Sequence, residues 1–102
     1  MRDPTDTDDH EAQAAEQAKK AQLRRRREVD DLKWLMAHAQ GRRFICRLLE
    51  ESGVFRTSFH VSGSTAAFNE GKKHVGYVLT ADLMEFTPDA YVKLLKEYQR
   101  DD

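Results

Sequence analysis

Gly41-Arg42-Arg43-Phe44-Ile45-Cys46-Arg47-Leu48-Leu49-Glu50-Glu51-Ser52-Gly53 is the stretch whose reading decides the fold. Phe44, Ile45, Leu48 and Leu49 fall on one helical face, because residues four apart stack along a helix. Ser52-Gly53 ends the pattern. Gly53 predicts a left-handed C-terminal cap, with Val54 and Phe55 folding back as its hydrophobic contact. Upstream, Val29, Leu32, Leu35 and Met36 repeat at the same spacing with Trp34 beside them, and Gln40-Gly41 separates the two helices.

Downstream, Val54 to Gly63 has no clear period, and Thr57, Ser58, Ser62 and Gly63 signal a loop. Ser64 or Thr65 is the expected cap of a third helix, with a face made of Phe68, Gly71, Val75, Val78 or Leu79, and Leu83. Gly71 and Gly76 each cost a helix roughly 1 kcal/mol relative to alanine, a cost that close helix packing would explain. Val75 to Leu83 is rich in valine and tyrosine, so a strand is the rival reading there. The flanks Ala66 to Glu70 and Ala81 to Glu85 favour helix. Thr87-Pro88 is a strong helix start, threonine capping and proline in the first turn. Tyr91, Leu94, Leu95 and Tyr98 form the last stripe. The expected fold is all-α, with about three to four helices over residues 29–102. Trp34, Phe44, Leu48, Phe68, Leu79, Tyr91 and Leu94 are the expected core.

Residues 1–28 have a different composition. After Met1, Leu23 is their only large aliphatic residue. The segment begins acidic, with Asp3, Asp6, Asp8, Asp9, Glu11 and Glu16, and ends basic, with Lys19, Lys20 and Arg24 to Arg27. Ala12, Ala14, Ala15, Ala18 and Ala21 between them are strong helix formers. Acid first and base last suits the helix dipole, and Thr7, Asp8 or Asp9 can cap the start. Without an apolar stripe the segment cannot dock firmly on a core. It reads as a long, charged, exposed helical arm, ordered in part and frayed at its N-terminal end.

Bulk properties narrow the function. The 102 residues suffice for one domain, and 17 basic against 18 acidic residues leave a net charge of −1. Cys46 is the single cysteine, which excludes an internal disulfide and suits a reducing compartment. No apolar run approaches the ~20 residues of a membrane span, and the start of the chain lacks the apolar stretch of a signal peptide. The cytoplasm is the expected location.

Catalytic signatures are weak. Gly63 and Gly71-Lys72 resemble a phosphate-binding loop only loosely: the glycines are too far apart, and Lys73 stands where Ser or Thr should hold magnesium. His10, His38, His60, His74 and Cys46 lack the close spacing of a zinc site. Cys46, mid-helix between Ile45 and Arg47, reads as a structural thiol rather than half of a Cys–His pair. Asp30, Asp31, Glu50, Glu51, Asp82 and Glu85 are explained by solvated helix faces. A repressor-type helix-turn-helix needs a turn of three or four residues, which Val54 to Gly63 exceeds. The expectation is a protein without enzymatic activity, cofactor or metal.

The basic residues carry more information. Lys19, Lys20, Arg24, Arg25, Arg26, Arg27, Arg42, Arg43 and Arg47 are the candidate electrostatic contacts. They suit either an acidic protein surface or phosphates, and the plain alternative is a solvated face. Phe55 and Phe59, on the loop with hydroxyl residues around them, are the candidate apolar contacts.

Asp31-Leu32-Lys33-Trp34-Leu35-Met36, Gly41-Arg42-Arg43-Phe44, Leu48-Leu49-Glu50, Gly53-Val54-Phe55-Arg56, Ser58-Phe59 and Phe68-Asn69-Glu70-Gly71 together resemble a small family of tailed-phage proteins of the Bordetella-phage type. The resemblance runs from about Val29 to Tyr98 and leaves out the arm. In that string Gly41 is expected to allow a sharp turn and Phe44 to enter the core, while the arginines stay outside. The resemblance implies a protein encoded among virion-structure and packaging genes, and it brings no catalytic residue. The expected function is that of a helical interaction module, coiled-coil pairing included, which binds another virion protein or a second copy of itself. Nucleic-acid binding through the arginine-rich arm is the alternative.

Overall fold

A computed structural model describes residues 4–55 and 63–101. Four helices account for almost all of them: α1 Pro4–Met36, α2 Ala39–Ser52, α3 Gly63–Phe86 and α4 Pro88–Asp101. Among the described residues there is no strand, so Val75 to Leu83 is helical despite its β-branched content. The chain divides into two units, Met1–Asp30 and Asp31–Asp102.

The first unit is helical arm. Every residue from 8 to 28 is exposed. Its ion pairs run along the helix surface, Glu16 with Lys20 at 3.7 Å and Arg25 with Glu28 at 3.3 Å. Exposed pairs of this kind contribute only tenths of a kcal/mol each.

The second unit holds the core, formed by Leu32, Met36, Ile45, Leu49, Leu83 and Leu94. Leu35, Cys46, Val54, Leu79, Ala90, Tyr91 and Leu95 pack around it, half-buried. The expected core is corrected in four places. Trp34, Phe44, Leu48 and Phe68 all lie at the surface. In α2 the inward face is Gly41, Arg42, Ile45 and Leu49, so the helix is rolled toward Arg42 and the Phe44–Leu48 flank turns outward. In α3 the inward positions are Lys73, Gly76, Leu83 and, just past its end, Thr87, while Phe68, Val75 and Val78 are exposed.

Arg42 explains the roll. It is 6% exposed, contrary to the expectation that the arginines stay outside. Its Nε donates to both carboxylate oxygens of Glu97 on α4, at 3.0 and 3.2 Å, and its Nη2 lies 3.0 Å from Glu97 Oε1. Its Nη1 donates to the carbonyl of Met36 at 2.9 Å. Met36 is the last residue of α1, where unpaired carbonyls and the negative end of the dipole attract a cation. One guanidinium therefore joins α1, α2 and α4. Close approach is possible because Gly41 precedes it: a Cβ there would sit 2.8 Å from Leu35 Cα and closer still to the Leu35 carbonyl. Gly41 has no positive φ, so its role is proximity rather than the sharp turn expected of it.

The helix ends follow local chemistry. His38 Nδ1 donates to the carbonyl of Trp34 at 2.6 Å, closing α1. Gly53 takes φ 79° and its N–H reaches Glu50 O at 3.0 Å, the cap expected of it. Ser52 Oγ donates to Leu49 O at 2.7 Å and accepts from Val54 N at 3.3 Å. α3 already runs from Gly63, so Ser64 and Thr65 lie inside its first turn rather than before it. Thr87 separates α3 from α4. Its hydroxyl donates backwards to Leu83 O at 3.0 Å, finishing α3, rather than capping the helix that follows. Its carbonyl accepts from Tyr91 N at 2.9 Å and so starts α4, where Pro88 needs no partner for a missing N–H.

Three stability measurements check this packing. Leu49→Ala removes a fully buried side chain and is expected to cost roughly 2–5 kcal/mol, whereas Leu48→Ala should cost about 1 kcal/mol or less. Equal losses in denaturant unfolding would show that the roll of α2 is misassigned. Gly76 faces Ser52 and Val54, whose Cβ atoms lie 3.0 and 3.1 Å from a built Cβ, while a Cβ at Gly71 meets nothing within 4 Å. Gly76→Ala is therefore expected to destabilise by about 1–3 kcal/mol, and Gly71→Ala to stabilise by roughly 0.5–1 kcal/mol. Glu97→Ala should cost about 2–3 kcal/mol in the native chain and much less in an Arg42→Met background, a coupling that a double-mutant cycle reads directly.

Candidate interaction surfaces

Rolling α2 toward Arg42 leaves Phe44, Arg47, Leu48 and Glu51 on its outer flank. Phe44 is 46% exposed, and the Arg47 guanidinium lies over its ring, 5.2 Å from the centroid. On α3, Phe68 is 66% exposed, and Lys72 Nζ lies 5.4 Å from its ring centroid. These pairs arise from spacing alone, three residues in α2 and four in α3, which brings side chains together on a helix surface. A cation over an aromatic face gains about 0.5–1 kcal/mol at an exposed site.

The same two cations line one groove. Arg47, Glu50 and Glu51 of α2 and Lys72 of α3 surround a space of ≈ 570 Å³. Among the described lining residues two are cationic and two are anionic. Each of the two exposed phenylalanines lies beneath a cation that lines the groove. Such a surface offers a cation from each helix, two carboxylates from α2 and an exposed aromatic ring beside each cation. Among the described residues lining it there is no cysteine, serine or threonine, and Cys46 is half-buried and packs against the core. Among the described residues no three His, Cys, Asp or Glu side chains are grouped to hold a metal ion.

The candidate contacts read from sequence separate into five groups. Lys19, Lys20, Arg24, Arg25, Arg26 and Arg27 are exposed on α1. Arg43 is exposed on α2, and Arg47 lines the groove. Arg42 leaves the set, since its guanidinium is held inside by Glu97 and Met36. Phe55 is 39% exposed and stacks on Tyr98, with ring centroids 5.3 Å apart. Phe59 lies outside the described residues. Phe44, Phe68, Lys72, Glu50 and Glu51 were not among the candidates. Their signal was present as an aromatic followed three or four residues later by a cation, on an apolar stripe too wide for a single buried face.

Among the described residues, no helix is long and apolar enough to cross a membrane. Neither the curated proteins nor the solved structures contain a match to the chain. A family model described as Bbp19-like phage protein matches residues 32–96. The match begins one residue into the second unit, takes in α2, α3 and most of α4, and excludes the arm. With well over half its length covered, the chain belongs to the Bbp19-like phage protein family.

Proposed function

We propose that this phage protein is a non-enzymatic accessory that binds a helical segment of a larger virion or packaging protein in the groove between α2 and α3. It would act in the host cytoplasm during assembly and stay with the particle if its partner does. The observation that carries this reading is the pair of exposed phenylalanines, Phe44 and Phe68, each under a cation lining that groove. Aromatic anchors that become buried on binding dominate the energy of protein interfaces. An amphipathic helix fits because its apolar anchors recur at the spacing of one groove and its flanks can carry both signs of charge.

The alternative is nucleic-acid binding through the arm, favoured by the exposure of Arg24, Arg25, Arg26 and Arg27 in succession. The groove itself suits phosphate poorly, because Glu50 and Glu51 stand in it beside the two cations.

Replacing both Phe44 and Phe68 by alanine is expected to lower infectious titre and incorporation into particles by tenfold or more, since truncating such an anchor typically costs about 2 kcal/mol of binding. The melting temperature of the purified variant should stay within a few degrees of the native chain, because both rings are exposed. Normal titre from the double variant would overturn the groove reading. Tight duplex DNA binding by the native protein that falls steeply across a salt series would favour the alternative.

A further inference from the structure

The arm combines three properties that the groove does not explain. It is helical, every residue from 8 to 28 is exposed, and its halves have opposite charge. Asp8, Asp9, Glu11 and Glu16 precede Lys19, Lys20 and Arg24 to Arg27. A helix with this arrangement is complementary to its own reverse.

We infer that α1 pairs antiparallel with α1 of a second copy, with the two-fold axis between Glu16 and Gln17. The register follows from the residues. Asp8, Glu11, Ala15, Ala18, Gln22 and Arg25 are spaced alternately three and four apart, which places them along one seam of the helix. About the stated axis the seam maps onto itself. Ala15 meets Ala18 of the second copy, Glu11 meets Gln22, and Asp8 meets Arg25. Alanines at the centre let the backbones approach closely. Beside the seam, Glu16 lies against Lys19 of the second copy. Leu23, 49% exposed and the only large aliphatic residue of the arm after Met1, lies against Ala12.

Other arrangements lose these contacts. Parallel pairing sets acid against acid and base against base. An antiparallel slip of one heptad opposes Ala15 to Arg25 in one direction and to Glu11 in the other. Within the single chain Glu16 pairs with Lys20 and Arg25 with Glu28, both weakly and at the surface, so either can reorient toward a partner. Few apolar groups are covered, so attraction rests on charge. The pair should form at low ionic strength and separate as salt screens it. This inference is independent of the groove, whose occupant it leaves unchanged.

Sedimentation equilibrium of the full chain tests it, with two charge-reversed variants. One carries Lys19→Glu and Arg25→Glu, the other Asp8→Lys and Glu16→Lys. At low salt the native chain is expected at twice its monomer mass, falling to the monomer in high salt. Each variant alone should be monomeric, because like charges then face each other at both contacts. Their equimolar mixture should regain the doubled mass, because every reversed residue then meets an opposite charge. Circular dichroism checks that each variant keeps its helix content. If either loses it, the single changes Lys19→Glu and Glu16→Lys repeat the test. A monomeric native chain would overturn the inference, whether or not it binds duplex DNA. So would a variant that dimerises alone, or a mixture that stays monomeric. None of these outcomes bears on the Phe44 and Phe68 variants.

Discussion

The Arg42 guanidinium is the constraint to which the second unit conforms. A buried cation is tolerable only when its charge and its N–H groups are met, and here Glu97 and the Met36 carbonyl meet them. Each partner comes from a different helix. Satisfying all of them fixes where α1 ends, how α2 is rolled, and where the C-terminal part of α4 must lie. Leu32, Met36, Ile45, Leu49, Leu83 and Leu94 then close over what remains. Apolar burial supplies most of the stabilisation, but it is non-directional. The bidentate pair selects one roll of α2 among several that would bury comparable area.

That selection explains which parts of the fold were legible in the sequence. Helix existence and helix ends were legible because they depend on local chemistry: Gly53 adopts the left-handed conformation expected of it, and α4 begins at Pro88. The partners of Thr87 were less so. A threonine before a proline can cap forward or bond backward, and its hydroxyl bonds to Leu83 O because α3 runs unbroken up to Phe86. Helix roll was the illegible quantity. In α2, Phe44, Ile45, Leu48 and Leu49 span a sector of about 140° at about 100° per residue, wider than the buried face. Aromatic size favoured Phe44 as the inward residue. Arg42, two positions earlier, tips the balance to Ile45 and Leu49, and its acceptor lies 55 residues away.

The candidate surface was misjudged for the same reason. An arginine counted as a contact turned inward, and two phenylalanines, Phe44 and Phe68, counted as core turned outward. The errors at Arg42 and Phe44 follow from one rule applied without its exception. Charged side chains stay outside unless paired, and pairing across distant helices leaves no mark in local sequence. The arm was readable from its local composition. Its composition excludes a core, its alanines favour helix, and its charge order can be read directly.

The two units therefore rest on different physics, and this has a consequence for how the protein can work. Aromatic anchors in a groove give an interaction that salt changes little, since most of its energy is apolar burial. A charged, alanine-rich arm gives one that salt controls and that forms rapidly by long-range attraction. The family match begins at Leu32 and omits the arm, so the matched region is the unit that carries the Arg42 pair and the groove. If the arm joins two copies, each pair presents two grooves to one larger partner. Two weak contacts tied together then act as one strong contact, provided that the partner repeats its binding segment. A virion, built from many copies of few proteins, is a setting where such repetition is the rule. A modest affinity at each groove would suffice there, which fits a surface of two exposed rings beside charges of both signs better than a single tight interface does.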